Sequence, residues 1–122
     1  MKTTTVRFFP SPQNTIKLTC EIAKTFYEKE QGLIGKTTLG DDEGMLFAFT
    51  FSLPRCFSMK TVSFPLDIIF VRKKRIVRIF HATPNKKKMV PHLYCGVASV
   101  VIECNQGFCR QHGIDIGTRV DF

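Results

Sequence analysis

Two carboxylates stand alone in the middle of this chain. Asp67 is the only acid between Glu43 and Glu103, and it sits at the head of the apolar run Leu66–Val71. Glu103 closes a second apolar run that begins at Val97. A carboxylate in such surroundings can serve as a general base or anchor a ligand, particularly if Lys60 approaches it. Met45 and Met59 lie near aromatic residues and could add a soft, adaptable floor. Met45, Met59, Lys60, Asp67 and Glu103 are therefore one candidate pocket. The competing reading is structural, with core-filling methionines and carboxylates that accept backbone N–H groups.

A second constellation joins thiols and imidazoles. His92-Leu93-Tyr94-Cys95 and Cys109-Arg110-Gln111-His112 are two pairs whose inner cysteines have thirteen residues between them, a zinc-ribbon-like spacing. The segment between them reads as a core strand, however, whereas structural zinc prefers turns, so His92, Cys95, Cys109 and His112 are not expected to hold metal. No local motif marks an activated cysteine, and there is no phosphate loop, dinucleotide fingerprint or serine elbow. The reading is a binding module without a cofactor, and no residue is assigned a catalytic role.

Charge gives the firmest pointer to a partner. The net charge is +8, from eighteen Lys and Arg against ten Asp and Glu. Residues 1–67 hold eight basic and seven acidic groups, and residues 103–122 hold two and three. The excess therefore lies in residues 68–102, as Arg72, Lys73, Lys74, Arg75, Arg78, Lys86, Lys87 and Lys88, with no acid among them. Concentrated cations suit a polyanion, because neutralising neighbouring phosphates releases condensed counterions. Few aromatics interleave with them, which favours contact with a nucleic-acid backbone over base readout. RNA or a ribonucleoprotein such as the ribosome is the expected partner, and an acidic protein is the alternative.

The elements that must carry these groups are short. At 122 residues, 43% hydrophobic and 23% charged, the chain has the size and composition of one folded domain. No apolar run is long enough to span a bilayer, so membrane insertion is not expected. Five cysteines at irregular spacing suggest a reduced, cytoplasmic set of free thiols. Ile16–Ile22 alternates apolar and polar residues, as a half-buried strand does. Phe8-Phe9-Pro10-Ser11-Pro12 reads as part of an N-terminal arm over 1–15, since prolines cannot donate to a ladder. Thr25 and Glu28 have capping-box spacing and Gly32 can end the turn, which predicts a short helix over 26–32. Leu39–Gly44 is turn chemistry, and Met45–Phe51 is apolar on both faces, a buried strand ended by Pro54. Further strands are expected over 57–62, 66–71, 76–81, 97–104 and 117–122, with a hairpin at Arg72–Arg75. The expectation is a mainly β domain, a sandwich or partly open barrel of about seven short strands.

Three segments carry a resemblance. They are Gln31-Gly32-Leu33-Ile34 with Gly44-Met45-Leu46-Phe47-Ala48-Phe49, then Phe57-Ser58-Met59-Lys60-Thr61 with Pro65-Leu66-Asp67-Ile68-Ile69-Phe70, and last Val101-Ile102-Glu103 with Gly107, Ile114 and Gly117. In that order they resemble the "domain of unknown function 192" family of small bacterial and archaeal proteins, across roughly residues 16–121. The resemblance implies a compact β-sandwich and supplies no reaction. The family's usual Trp before the methionine and Asn-Thr after the lysine are replaced here, at Ser58, Thr61 and Val62, and its acidic or Gly-containing hairpin turn is here Arg72-Lys73-Lys74-Arg75.

Overall fold

A computed structural model describes residues 1–85 and 92–122. Lys86, Lys87 and Lys88, expected to share the cationic surface, lie outside the described residues. Seven strands and two short helices run in the order β1 (Thr3–Ser11), β2 (Asn14–Ala23), α1 (Phe26–Gln31), β3 (Glu43–Ser58), β4 (Leu66–Arg72), β5 (Arg75–Ala82), β6 (Leu93–Asn105), α2 (Phe108–His112) and β7 (Arg119–Asp121). The strands form one sheet in the order β1-β2-β3-β6-β4-β5-β7, closed into a barrel by pairing of β7 with β1. The mainly β expectation holds, and of its two forms the barrel is the one realised, fully closed.

Closure depends on the segment expected to be an arm. Residues 3–11 are instead a barrel strand, with Val6 and Phe8 fully buried inside. Pro10 is tolerated because the β1–β2 register shifts between Phe8 and Ser11, so no ladder bond is required of it. Pro54 likewise fails to end its strand. Past Phe47, β3 has left β2 and pairs only with β6, so a missing N–H on the open side costs no sheet bond. Phe57 and Ser58 are thus the end of β3 and not a separate strand, and Met59–Val62 is a turn closed by Val62 N–H to the Met59 carbonyl at 3.2 Å.

Residue parity divides the apolar side chains into two cores, as the alternation of strand faces requires. Phe8, Leu18, Leu46, Ile69, Ile102 and Val120 fill the barrel, and α2 plugs one end with Phe108 and Cys109. On the outer wall, Met45, Phe47, Ile68, Phe70 and Val101 are covered by Leu33, Leu39, Met59 and Val62 from the two connecting segments. Gly44 marks the closest approach within the barrel: a Cβ there would lie 2.7 Å from the Glu103 carbonyl oxygen and 2.9 Å from Leu18.

The capping box at α1 forms as its spacing predicts. Thr25 Oγ1 accepts from Glu28 N–H at 3.1 Å, and the Glu28 carboxylate accepts from Lys24 and Thr25 N–H at 3.0 and 3.1 Å. These backbone bonds hold the Glu28 carboxyl below its usual range. The second helix has no such signature. Five residues are too few for a periodic pattern, and the glycines at its two ends, Gly107 and Gly113, are its only trace.

The expected set of five free thiols is corrected. Cys56 and Cys95 oppose each other directly in the β3–β6 ladder, with Cα atoms 4.2 Å apart, and are joined by a disulfide. Spacing could not reveal this, because only strand register brings positions 39 apart together. Cys20, Cys104 and Cys109 are free and buried. Thiol titration of unfolded, unreduced protein should accordingly find three free thiols per chain; five would remove the bridge.

Candidate functional site

The two lone carboxylates do not meet. In the β4–β6 register Asp67 lies opposite Cys104 and Ile68 opposite Glu103, so the acids point to opposite faces of the wall. Asp67, fully buried, faces the barrel interior. Its Oδ1 lies 2.7 Å from His81 Nδ1, and its Oδ2 accepts Cys109 N–H at 3.0 Å. Gly107, the N-cap of α2, has no side chain with which to cap, and Asp67 supplies the missing acceptor from β4. Both of its oxygens are therefore taken up, Oδ2 in anchoring α2 and Oδ1 by His81 of β5.

Glu103 is different. It is 4% exposed, on the outer wall, and its carboxyl has no hydrogen-bond partner among the described residues but is not one of the fully buried groups left unpaired. Burial pushes its pKa up to about 8, so it is largely neutral at pH 7. It borders a cleft of about 500 Å³ between α1 and the second half of β3. Phe47, Phe49 and Phe57 line that cleft with Lys29 and Arg55. Met45 and Met59 are buried in the same outer core, Met45 directly opposite Glu103, whereas Lys60 is exposed beyond it. The five-residue pocket thus reduces to Glu103 with its apolar neighbours, without Asp67.

The four zinc candidates do not converge. Cys95 is bonded to Cys56, His92 meets Tyr94 edge to face with centroids 4.7 Å apart, and His112 packs on Phe108 at 4.8 Å. Burial raises the pKa of Cys20 to about 12 and those of Cys104 and Cys109 above the usual thiol range, so all three stand as thiols, unsuited to nucleophilic attack.

Of the expected cations, Arg72, Lys73, Lys74 and Arg75 lie together at the β4–β5 hairpin. Arg72 and Arg75 close a two-residue hairpin whose central residues, Lys73 and Lys74, have φ of 51° and 60°. Positive φ at both positions is the geometry of the turn that normally takes Asn-Gly. Across the next ladder Arg75 lies opposite Arg119. Arg72, Arg75 and Arg119 therefore form one row across β4, β5 and β7, on one face and all exposed. Lys74 Nζ pairs with Asp121 at 3.0 Å and holds that carboxyl below its usual range. Beside the row, a broad groove of about 820 Å³ runs between Phe9–Pro12 and residues 113–119, with Arg75 and Arg119 on its wall and Asp115 also lining it. Arg78 stands apart, its guanidinium 4.7 Å from the Phe80 ring centre. Sequence reasoning missed Arg119, because only the β5–β7 register joins it to the hairpin.

The architecture is thus a closed seven-stranded barrel with a cationic edge and a separate cleft over a buried carboxyl. The chain belongs to the "domain of unknown function 192" family, whose model, described as an uncharacterized ACR, matches residues 9–122. Two solved structures are similar. A protein of Sinorhizobium meliloti 1021 described as a "putative transcription regulator" is 28% identical, with a TM-score of 0.89 over 98% of this chain and 93% of its own. A protein of unknown function from Novosphingobium aromaticivorans DSM 12444 is 31% identical, with a TM-score of 0.85 over 98% and 85%. No curated protein matches the chain. Among the described residues, no helix is long and apolar enough to cross a membrane.

Proposed function

We propose that the protein is a polyanion-binding module whose β4–β5 hairpin and β7 dock against the phosphate backbone of RNA or a ribonucleoprotein. The row of Arg72, Arg75 and Arg119 carries this reading. Like charges placed directly opposite one another destabilise a sheet, and among the described residues none of the three has a carboxylate partner. An external anion relieves that repulsion. Lys73 and Lys74 add a second argument: a left-handed backbone costs a residue with a Cβ about 1–2 kcal/mol, and two lysines occupy positions that Asn-Gly would fill more easily. Charge has been kept at the expense of backbone ease.

A cytoplasmic setting accompanies this reading, in which the Cys56–Cys95 bridge would have to persist against a reducing environment. The β3–β6 ladder around it is long enough to keep the two strands paired without the bridge. The similar protein of Sinorhizobium meliloti is described as a "putative transcription regulator", a role compatible with this reading.

The experiment separates charge from stability. Replacing Lys73 with Asn and Lys74 with Gly should raise hairpin stability by about 1 kcal/mol, since strain relief outweighs loss of the exposed Lys74–Asp121 pair. RNA affinity should fall several-fold in the same variant. A stabilised variant with undiminished affinity would count against the proposal.

A further inference from the structure

We propose that the cleft between α1 and the second half of β3 binds a small organic anion with an apolar body, its carboxylate held by Lys29 and Arg55 and a neutral hydrogen-bonding group at its far end held by Glu103. This site is separate from the cationic hairpin and stands or falls independently of it.

Three observations define the ligand. The first is the rim. Lys29 Nζ lies 4.1 Å and Arg55 Cζ 4.0 Å from the centre of the same Phe49 ring, and neither side chain is in an ion pair among the described residues. Arg55 is held in place by its own bonds, with Nη2 donating to the Phe51 carbonyl at 2.7 Å and Nε to that of Ala98 at 3.4 Å. Burial and the neighbouring Arg55 both lower the Lys29 pKa, so the two cations lie close enough to repel each other, and neither has an ion-paired counter-charge among the described residues. A carboxylate at the rim supplies it.

The second is the wall. Phe47 and Phe57 pack edge to face at 5.1 Å and present apolar surface between rim and floor. The third is the floor, where Glu103 is 4% exposed as a residue and its carboxyl, facing the cleft, has no hydrogen-bond partner among the described residues. A carboxyl that faces the cleft and has no protein partner is a place for a ligand atom. In its neutral form it donates one hydrogen bond and accepts another, which suits a hydroxyl or an amide better than a second anion. Glu30 also lines the cleft, leaving its charged rim with two cations and one acid. A volume of about 500 Å³ is within the usual range for small-molecule sites.

The test uses paired probes and calorimetry on the full chain at pH 7. 4-Hydroxyphenylacetate and 6-hydroxyhexanoate carry both polar ends, while phenylacetate and hexanoate lack the hydroxyl. At least one hydroxyl probe should bind saturably, about tenfold more tightly than its partner without the hydroxyl, which is the effect of one hydrogen bond. Glu103→Leu should erase that preference and Glu103→Gln should retain it. Lys29→Gln, a change at the rim that leaves the fold alone, should weaken all four probes. Absence of saturable binding by both hydroxyl probes overturns the proposal. So does binding that is indifferent to Lys29→Gln and, in folded Glu103→Leu, still prefers the hydroxyl.

Discussion

Glu103→Gln is expected to stabilise the folded domain at pH 8 and above, and to flatten its stability profile below that. Burial raises the Glu103 pKa from its ordinary 4.5 to about 8. The folded chain therefore keeps a proton that the unfolded chain releases, and stability must fall as pH rises through that window. Above about pH 8 both states are ionised and the loss is complete. The full difference corresponds to an upper bound of about 5 kcal/mol, and water entering through the cleft reduces the expected effect to about 2–3 kcal/mol. Glutamine keeps the shape and the hydrogen-bonding capacity without a proton to lose. Urea denaturation of both proteins from pH 5 to about pH 9 should show curves that diverge up to about pH 8 and then hold their separation, with the variant ahead. Curves parallel throughout would mean that Glu103 is not buried as an acid.

A ligand of the proposed class would take advantage of the same instability. A carboxyl with no protein partner is an unusual neighbour for an outer layer otherwise built from Met45, Phe47, Ile68 and Phe70. Asp67 shows the contrasting case, a buried acid whose bonds to His81 and Cys109 N–H anchor one end of the barrel.

How much of this was legible in the sequence depends on the range of the interaction. Local devices could be read directly. Thr25 and Glu28 announced the start of α1, and Arg72–Arg75 between two β-branched runs announced a hairpin. Where a feature depended on register between distant strands, local pattern failed. Phe8 and Val6 belong to a barrel wall although Pro10 and Pro12 make the segment look unstructured. β7 is only three residues long, too short for alternation to show, yet it closes the barrel and brings Arg119 beside Arg75. Cys56 and Cys95 are joined by the same kind of long-range pairing. The candidate pocket was half legible for the same reason. Composition singled out Asp67 and Glu103, but the parity of two adjacent strands decides which face each acid takes, and parity across a sheet is not written in either strand alone.

The cationic edge is tested most directly by the salt dependence of RNA binding when Arg72, Lys73, Lys74 and Arg75 are all replaced by glutamine. Glutamine is unbranched like lysine and no worse at the positive φ of positions 73 and 74, so the fold should survive with a thermal midpoint near that of the parent. If all four side chains neutralise phosphates, the slope of log affinity against log salt should fall by up to roughly three, at about 0.7–0.9 per contact. Affinity at low salt should drop by orders of magnitude, while Asp67→Asn, inside the barrel, should leave it nearly intact. A folded four-glutamine variant that keeps both the affinity and the salt slope of the parent would contradict the account.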